Sequence, residues 1–339
     1  MAEMMHTEIV QYLKLGLFVD TALPSPQCEE PIDVSFMHRS FCAAGLPLRR
    51  PKNVLDPYAR NDGRFSLTIS PQRLMLPDGG WCDIGVPWGP KGRLLIVWAT
   101  SQALDPSRRV GDRWLEIGRI DEWLSEVGIA PNARSRTETK DMIFRLAFSQ
   151  FTMIMKQSGS TFFKSDRMFE RGAFHDNSLT DYASGNLNRI AWPVGLELSQ
   201  VAYERFTTNS IPIPTARLAK ISHNAMAIDV FLYLCYRLPL IGPGDSEMLT
   251  WRSMASQFGS IRGASPTRFR DAFGPSLKAA LDAYPEANVS ITDEGLVMSH
   301  SDPADLRRAF IAVSLPKRIT GGRRKLRNRF IEETEKPML

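Results

Sequence analysis

The chain has few cysteines for its length, four in 339 residues, and Cys28, Cys42, Cys82 and Cys235 form no CxxC or similar pair. Such wide spacing argues against both a disulfide framework and a cysteine-ligated zinc site, and fits idle thiols in a reducing compartment. Long apolar runs are also missing: no stretch reaches the roughly 18 residues a membrane span needs. The opening MAEMMHTEIVQYLKLGLFVD carries acids and lacks a basic region ahead of its short apolar patch, so the expected location is the cytoplasm, away from membranes. No GxxxxGK[ST] loop is present, GPKGRLL lacking that order, which excludes the usual cradle for nucleotide phosphates. His6, His38, His175, His223 and His300 are isolated, with no paired-histidine metal motif. Tyr182 follows Asp181 and Tyr203 precedes Glu204, but neither tyrosine comes with the metal or oxyanion groups a nucleophile needs. The expectation is a protein without catalytic residues, cofactor or metal.

What is present is a globular composition, 43% hydrophobic and 23% charged, in a chain long enough for two ordinary domains. The net charge of +5 is unevenly placed. Residues 1–316 balance, 34 Lys and Arg against 34 Asp and Glu, and the excess sits in the last 23 residues. There ITGGRRKLRNRF carries Arg323, Arg324, Lys325 and Arg327 with no acid before Glu332. This tail, residues 316–339, suits nonspecific phosphate binding or a solvated disordered end.

Along the chain, Pro24, Pro26, Pro31, Pro47, Pro51 and Pro57 break residues 1–60 into short pieces, an expected arm of low order. The folded part is expected to begin near RFSLTIS, which alternates as a half-buried strand does, followed by turn chemistry in LPDGG. In residues 61–200 the spacing predicts a helix in PKGRLLIVWATSQAL, a strand in RWLEIG and a short helix opened by Asp121 and closed by Gly128. A long helix over RTETKDMIFRLAFSQFTMIMKQSG follows, with Ile143, Leu146, Gln150, Met153 and Ile154 on one side, then strands in STFFKSDRMF and RIAWPVGLELS.

Residues 201–315 repeat that order without residue identity. A helix runs through ARLAKISHNAMAIDVFLYLCYRL, then a strand in MLTW, a helix in RSMASQFG closed by Gly259, a helix opened by Ser265-Pro266 and expected to kink at Pro275, and a hairpin about Asp293-Glu294-Gly295. Helix, strand, helix, turn, helix and hairpin is the order of a winged helix, whose last helix enters the major groove while the hairpin touches backbone. The expected fold is therefore α+β: tandem winged-helix domains between a flexible N-terminal arm and a basic C-terminal tail.

In the second unit Phe269, Phe273, Leu277 and Tyr284 fall on one side and predict a core face, turning Thr267, Asp271 and Lys278 outward with Arg268 and Arg270 on the flanks. Arginine there can grip guanine O6 and N7 or hold phosphate. Arg262 lies just upstream in the same basic stretch, five basic residues to one acid between Arg252 and Ala280. In the first unit Arg136, Lys140, Arg145 and Ser149 form the candidate outward face, although Glu138 and Asp141 share it. Two readings stand for that face: DNA contact, or an ordinary solvated helix with i,i+4 charge pairs. The unit can alternatively dimerise through its long helix and the strand STFFK.

GPKGRLLIVWATSQAL with LEIG, the helix ending FRL, AMAIDVFLYLCYRLP, LTWRSMASQFG, TRFRDAF and AYPEANVSITDEGLVMS, in that order over about residues 75–300, resemble the plasmid-encoded RepA replication initiators. The resemblance implies binding of repeated sites, iterons, in double-stranded DNA of a plasmid origin. It implies opening of an adjacent AT-rich stretch, recruitment of the host replicative helicase with the host initiator DnaA, and repression of the protein's own promoter as a homodimer, a form of copy-number control. It supplies no catalytic residues. A transcriptional repressor of the same fold, and an origin-nicking or primase-like enzyme, are the alternatives that the sequence leaves standing.

Overall fold

The computed structural model describes residues 34–61, 65–157, 160–259, 266–301 and 303. The first segment is already folded. β1 (Val34–His38) pairs antiparallel with β11 (Ser210–Pro214), and α1 (Arg39–Ala43) follows, its start capped by the His38 ring nitrogen, which accepts from the Ser40 N–H at 3.3 Å. Met37, Phe41, Cys42, Leu46 and Leu48 are buried. The expected arm of low order over residues 1–60 is thus corrected for residues 34–60. The prolines of this stretch bend a chain that apolar side chains pin down, and the Pro47 carbonyl accepts from the Gly89 N–H. Residues 1–33, with Cys28, lie outside the described residues.

β2 (Tyr58–Asn61) and β3 (Phe65–Ser70) are followed by the β4 (Gln72–Met75) and β5 (Trp81–Ile84) hairpin, whose turn includes Gly79 at φ 83°. The first unit then unfolds in the expected order. α2 (Gly89–Ala103) has Pro90 in its first turn, β6 (Trp114–Glu116) comes next, and α3 (Ile120–Glu126) gives way to Gly128. Gly128 takes φ 75°, and a Cβ on it would lie 2.8 Å from the Ala219 carbonyl oxygen, so both conformation and space demand glycine. α4 (Ala133–Phe148) opens with a reciprocal box between Asn132 and Ser135.

Here the structure departs from the expected long helix. α4 stops at Phe148, Ser149 is extended, and the chain continues as β7 (Gln150–Gln157) and β8 (Ser160–Arg167). The apolar residues of this stretch fit a period of two as well as one of 3.6. Phe151 and Met153 are buried with Thr152 between them, and β3 supplies the partner strand with Phe65 opposite Met155. The resulting sheet has the order β2-β3-β7-β8, leaving β8 at an edge. β9 (Phe169–Ala173), α5 (Ser178–Ala183) and β10 (Gly195–Leu198) complete the unit.

α6 (Gln200–Thr208) and β11 lead to the second unit. The expected single helix after β11 is two, α7 (Thr215–Lys220) and α8 (Ala225–Arg237), because Asn224 starts afresh by accepting from the N–H groups of Met226 and Ala227. β12 (Ser246–Thr250), α9 (Trp251–Phe258), α10 (Pro266–Ala283), β13 (Val289–Ile291) and β14 (Gly295–Ser299) follow, and α10 continues through Pro275.

The two units share one signature. The sheet of the first has the order β6-β10-β9 and that of the second β12-β14-β13, both antiparallel: the strand after the first helix pairs with the last strand, which pairs with the one before it. The fold is α+β, two winged-helix units in tandem. A single cluster of buried apolar side chains runs through both, from Met37 through Leu94 and Ile228 to Met298.

At its centre a buried ion pair joins the first helices of the units. Arg93 of α2 gives Asp229 of α8 two hydrogen bonds, Nε to Oδ1 at 2.5 Å and a terminal nitrogen to Oδ2 at 2.7 Å. Its remaining N–H groups reach the carbonyls of Leu46, Pro47 and Gly89, so all five guanidinium donors are used with the side chain 1% exposed.

Candidate nucleic-acid interface

In the second unit α10 stands on a fully buried base. Phe269, Phe273, Leu277 and Tyr284 all pack inward, as their spacing predicts. The Phe273 ring lies 5.8 Å from that of Phe258 on α9, and the Tyr284 ring 6.3 Å from that of Phe231 on α8. These contacts fix the rotation of α10 and leave Arg268, Arg270, Asp271 and Lys278 exposed along its length. Thr267 sits in the first turn. Lys278 pairs with Asp282 one turn later at 2.7 Å, both well exposed. Arg262 falls outside the described residues, as do Arg323, Arg324, Lys325 and Arg327 of the tail.

Arg270 has two partners that sequence reasoning did not supply. Its guanidinium lies 5.3 Å from the centre of the Trp251 ring, and a terminal nitrogen stands 3.4 Å from Asp293 in the turn between β13 and β14. Trp251 follows its helix cap Thr250 directly and is 7% exposed. A tryptophan at the first position of the short helix was the available signal.

The first unit holds its four candidates differently. Arg136 is turned onto Asp121 of α3 by two hydrogen bonds, 2.7 and 3.0 Å, and this pairing raises the guanidinium pKa and lowers that of the carboxyl. Lys140 is partly buried, which together with the nearby Arg136 lowers its pKa. Glu138 is bridged by Lys91 at 2.6 Å and Arg134 at 2.7 Å.

Arg145 and Ser149, expected on the outward face, are both buried, which corrects their placement. Arg145 donates to Asp141 at 2.7 Å inside the same helix, and Ser149 ends the helix with no exposure at all. The cause lies in segments far away in sequence. The β4–β5 hairpin and the residues between β9 and β10 close over this half of α4, with Leu76, Cys82, Ile84 and Ile190 around Phe144. Tyr182 of α5 stacks on Phe144 at 4.8 Å and donates its hydroxyl to Asp141 at 2.8 Å; burial, then the Asp141 charge, push its pKa up. Exposure along α4 is confined to its first two turns and to Phe148 at its end.

Among the described residues no group of three or more His, Cys, Asp and Glu is placed to hold a metal ion, and no helix is long and apolar enough to cross a membrane. Cys42, Cys82 and Cys235 are buried free thiols whose pKa values burial raises. A small cavity of about 20 Å³, lined by His38, Phe151, Met153, Asp166, Arg205 and Phe206, has room for about one water.

No protein-family model matches the chain, and no curated protein does. Among solved structures the chain is similar to a selenomethionine derivative of domains 2 and 3 of RctB, with TM-score 0.45 and 14% identity over 70% of this chain and 82% of that one. It is likewise similar to a second structure of RctB domains 2-3, RctB-155-483, with TM-score 0.45 and 12% identity over 78% and 97%.

Proposed function

We propose that the chain is a plasmid replication initiator that works by binding DNA and carries no catalytic chemistry of its own. The observation that supports this best is the second winged-helix unit, whose third helix is packed along one side and carries Arg268, Arg270 and Lys278 on its exposed side. A helix so placed fits the major groove, where a bidentate arginine contact with guanine is worth about 1–3 kcal/mol of discrimination. The resemblance of the second-unit segments to plasmid RepA initiators supplies the setting, iterons at an origin.

In this reading the binding of successive initiators strains the duplex and opens the neighbouring AT-rich stretch, DNA deformation standing in for nucleotide hydrolysis. DnaA and the replicative helicase are the proposed partners at the open origin. A homodimer, paired through the edge strand β8, is the proposed form that represses the protein's own promoter.

The test is footprinting of the purified protein on DNA neighbouring its gene, at a fixed salt concentration, against a variant carrying Arg268→Ala and Arg270→Ala. Periodic protection of direct repeats, lost in the variant, is the expected result. Absence of sequence-selective protection at any salt would sink the reading. Plasmid maintenance that depends on the origin and on the protein separates an initiator from a repressor, and a metal-dependent nick in supercoiled origin DNA would revive an enzyme.

A further inference from the structure

The wing of the second unit does not have the charge of a surface that grips phosphate. Its turn carries Asp293 and Glu294, both exposed. It is also held firmly in place. The Trp251 backbone N–H donates to the Glu294 carbonyl at 3.0 Å, and its indole N–H donates to the Thr292 carbonyl at 3.2 Å, one residue on either side of Asp293. The close approach needs Gly295, where a Cβ would stand 2.1 Å from the Leu249 carbonyl oxygen. Trp251 is itself fixed by an edge contact with Phe273 at 6.3 Å. One indole thus sets the position of the wing carboxylate and offers its face to the arginine of α10.

Asp293 is 99% exposed and Arg270 45%, so their pair at 3.4 Å is screened by solvent and adds little to folding. Its consequence lies in where it leaves the two charges. The guanidinium is drawn back toward the wing, and a carboxylate stands beside it that repels any phosphate brought near. We propose that Asp293 is a specificity-determining residue: it restrains Arg270 against Trp251, so that Arg270 engages DNA where a guanine edge offers two acceptors and not where phosphate alone is within reach. This rests on the DNA-reading role proposed above. A carboxylate of this kind weakens binding to all sequences, and weakens it least at the correct one.

The experiment compares the full chain with Asp293→Asn on two probes of about two helical turns each. One is a duplex recovered by the wild-type protein from a random-sequence pool, the other a scrambled duplex of the same composition. Asp293→Asn is expected to raise affinity for the scrambled duplex about threefold to tenfold and to steepen its log affinity against log salt slope by about one unit. Affinity for the recovered duplex should change less than about twofold, so the ratio between the probes falls. Trp251→Phe, which keeps a ring but loses the N–H to Thr292, should move the ratio in the same direction when binding is read well below its thermal midpoint, which the lost packing and hydrogen bond lower. Equal gains on both probes, or none on either, would overturn the proposal. So would a loss confined to the recovered duplex, since Asp293 would then itself accept from a base such as cytosine N4. Failure of the wild-type protein to recover any preferred duplex removes the DNA reading as well, and so is distinguishable from failure of the restraint alone.

Discussion

α4 and α10 hold the same position in the same topology, yet they meet the outside in opposite ways. α10 is buried along one side and open along the other from Arg268 to Asp282. α4 is open for two turns and then roofed by the β4–β5 hairpin and by the insertion that carries Tyr182. Its basic residues follow suit: Arg136 is spent on Asp121 and Arg145 on Asp141. Position in a fold therefore does not assign a role. A third helix can present an open side or serve as a structural beam, and the difference lies in what the intervening segments cover.

The largest expected effect tests whether the two units can be compared as parts of one body. Asp229→Ala leaves the Arg93 guanidinium buried without its counter-charge, which should cost about 3–5 kcal/mol in urea unfolding. The wild-type protein should unfold in a single transition, and two transitions in it would mean that the units are independent. Next comes the contrast itself. Arg145→Ala should cost about 2–3 kcal/mol of stability, the Asp141 carboxylate keeping only the Tyr182 hydroxyl, with DNA affinity of the folded protein unchanged. Arg268→Ala should do the reverse, losing about 1–3 kcal/mol of DNA binding and, its side chain being exposed, moving stability by no more than about 1 kcal/mol. A loss of DNA binding in the Arg145 variant at an unchanged melting point would put α4 on the DNA and erase the distinction.

The smallest effect probes the packing of the N-terminal segment against the β3-β7-β8 side of the first unit. His38 is buried beside Arg205 and Arg39 with Asp166 on the same cavity, and desolvation first, then those two arginines, lower its pKa from 6.5 to about 3. The folded protein thus holds it neutral while the unfolded chain takes up a proton below about pH 6.5. Its contribution is present above that pH and is lost as pH falls toward the folded value. Stability should drop by about 1 kcal/mol from about pH 6.5 to about pH 5.5 through this group. His38→Gln should remove that part of the slope, and an unchanged slope in the variant would place the ring in water.

The second unit is largely legible in its sequence. Phe269, Phe273, Leu277 and Tyr284 recur at helical spacing and are all buried, and Asp293-Glu294-Gly295 marks the hairpin turn. Local signals sufficed there because the unit is continuous in sequence. The first unit is interrupted twice, by β7–β8 and by α5. Between 150 and 157 the apolar residues fit two periods, and the choice was made by pairing with β3, some eighty residues earlier. Arg145 and Ser149 have nothing in their neighbourhood to announce a roof built from Leu76, Cys82, Tyr182 and Ile190. In residues 34–60 the prolines point to an open arm, while the apolar anchors between them, Met37, Phe41 and Leu46, hold the chain in the core. The Arg270, Trp251 and Asp293 arrangement joins three elements, and charge pattern along one helix gives no view of it.

The guanidinium at the junction of the two units has a metrical consequence. With every N–H of Arg93 committed to α8, to the Leu46-Pro47 backbone or to its own helix, α2 and α8 cannot swivel about one another without exposing an unpaired charge. A molecule built this way behaves as a gauge of fixed length. On duplex DNA, any contacts made by the two halves at once must keep one spacing and one angular phase. Inserting about five base pairs between those contacts, half a helical turn, would carry one of them to the far side of the duplex, out of reach of a body that cannot twist to follow.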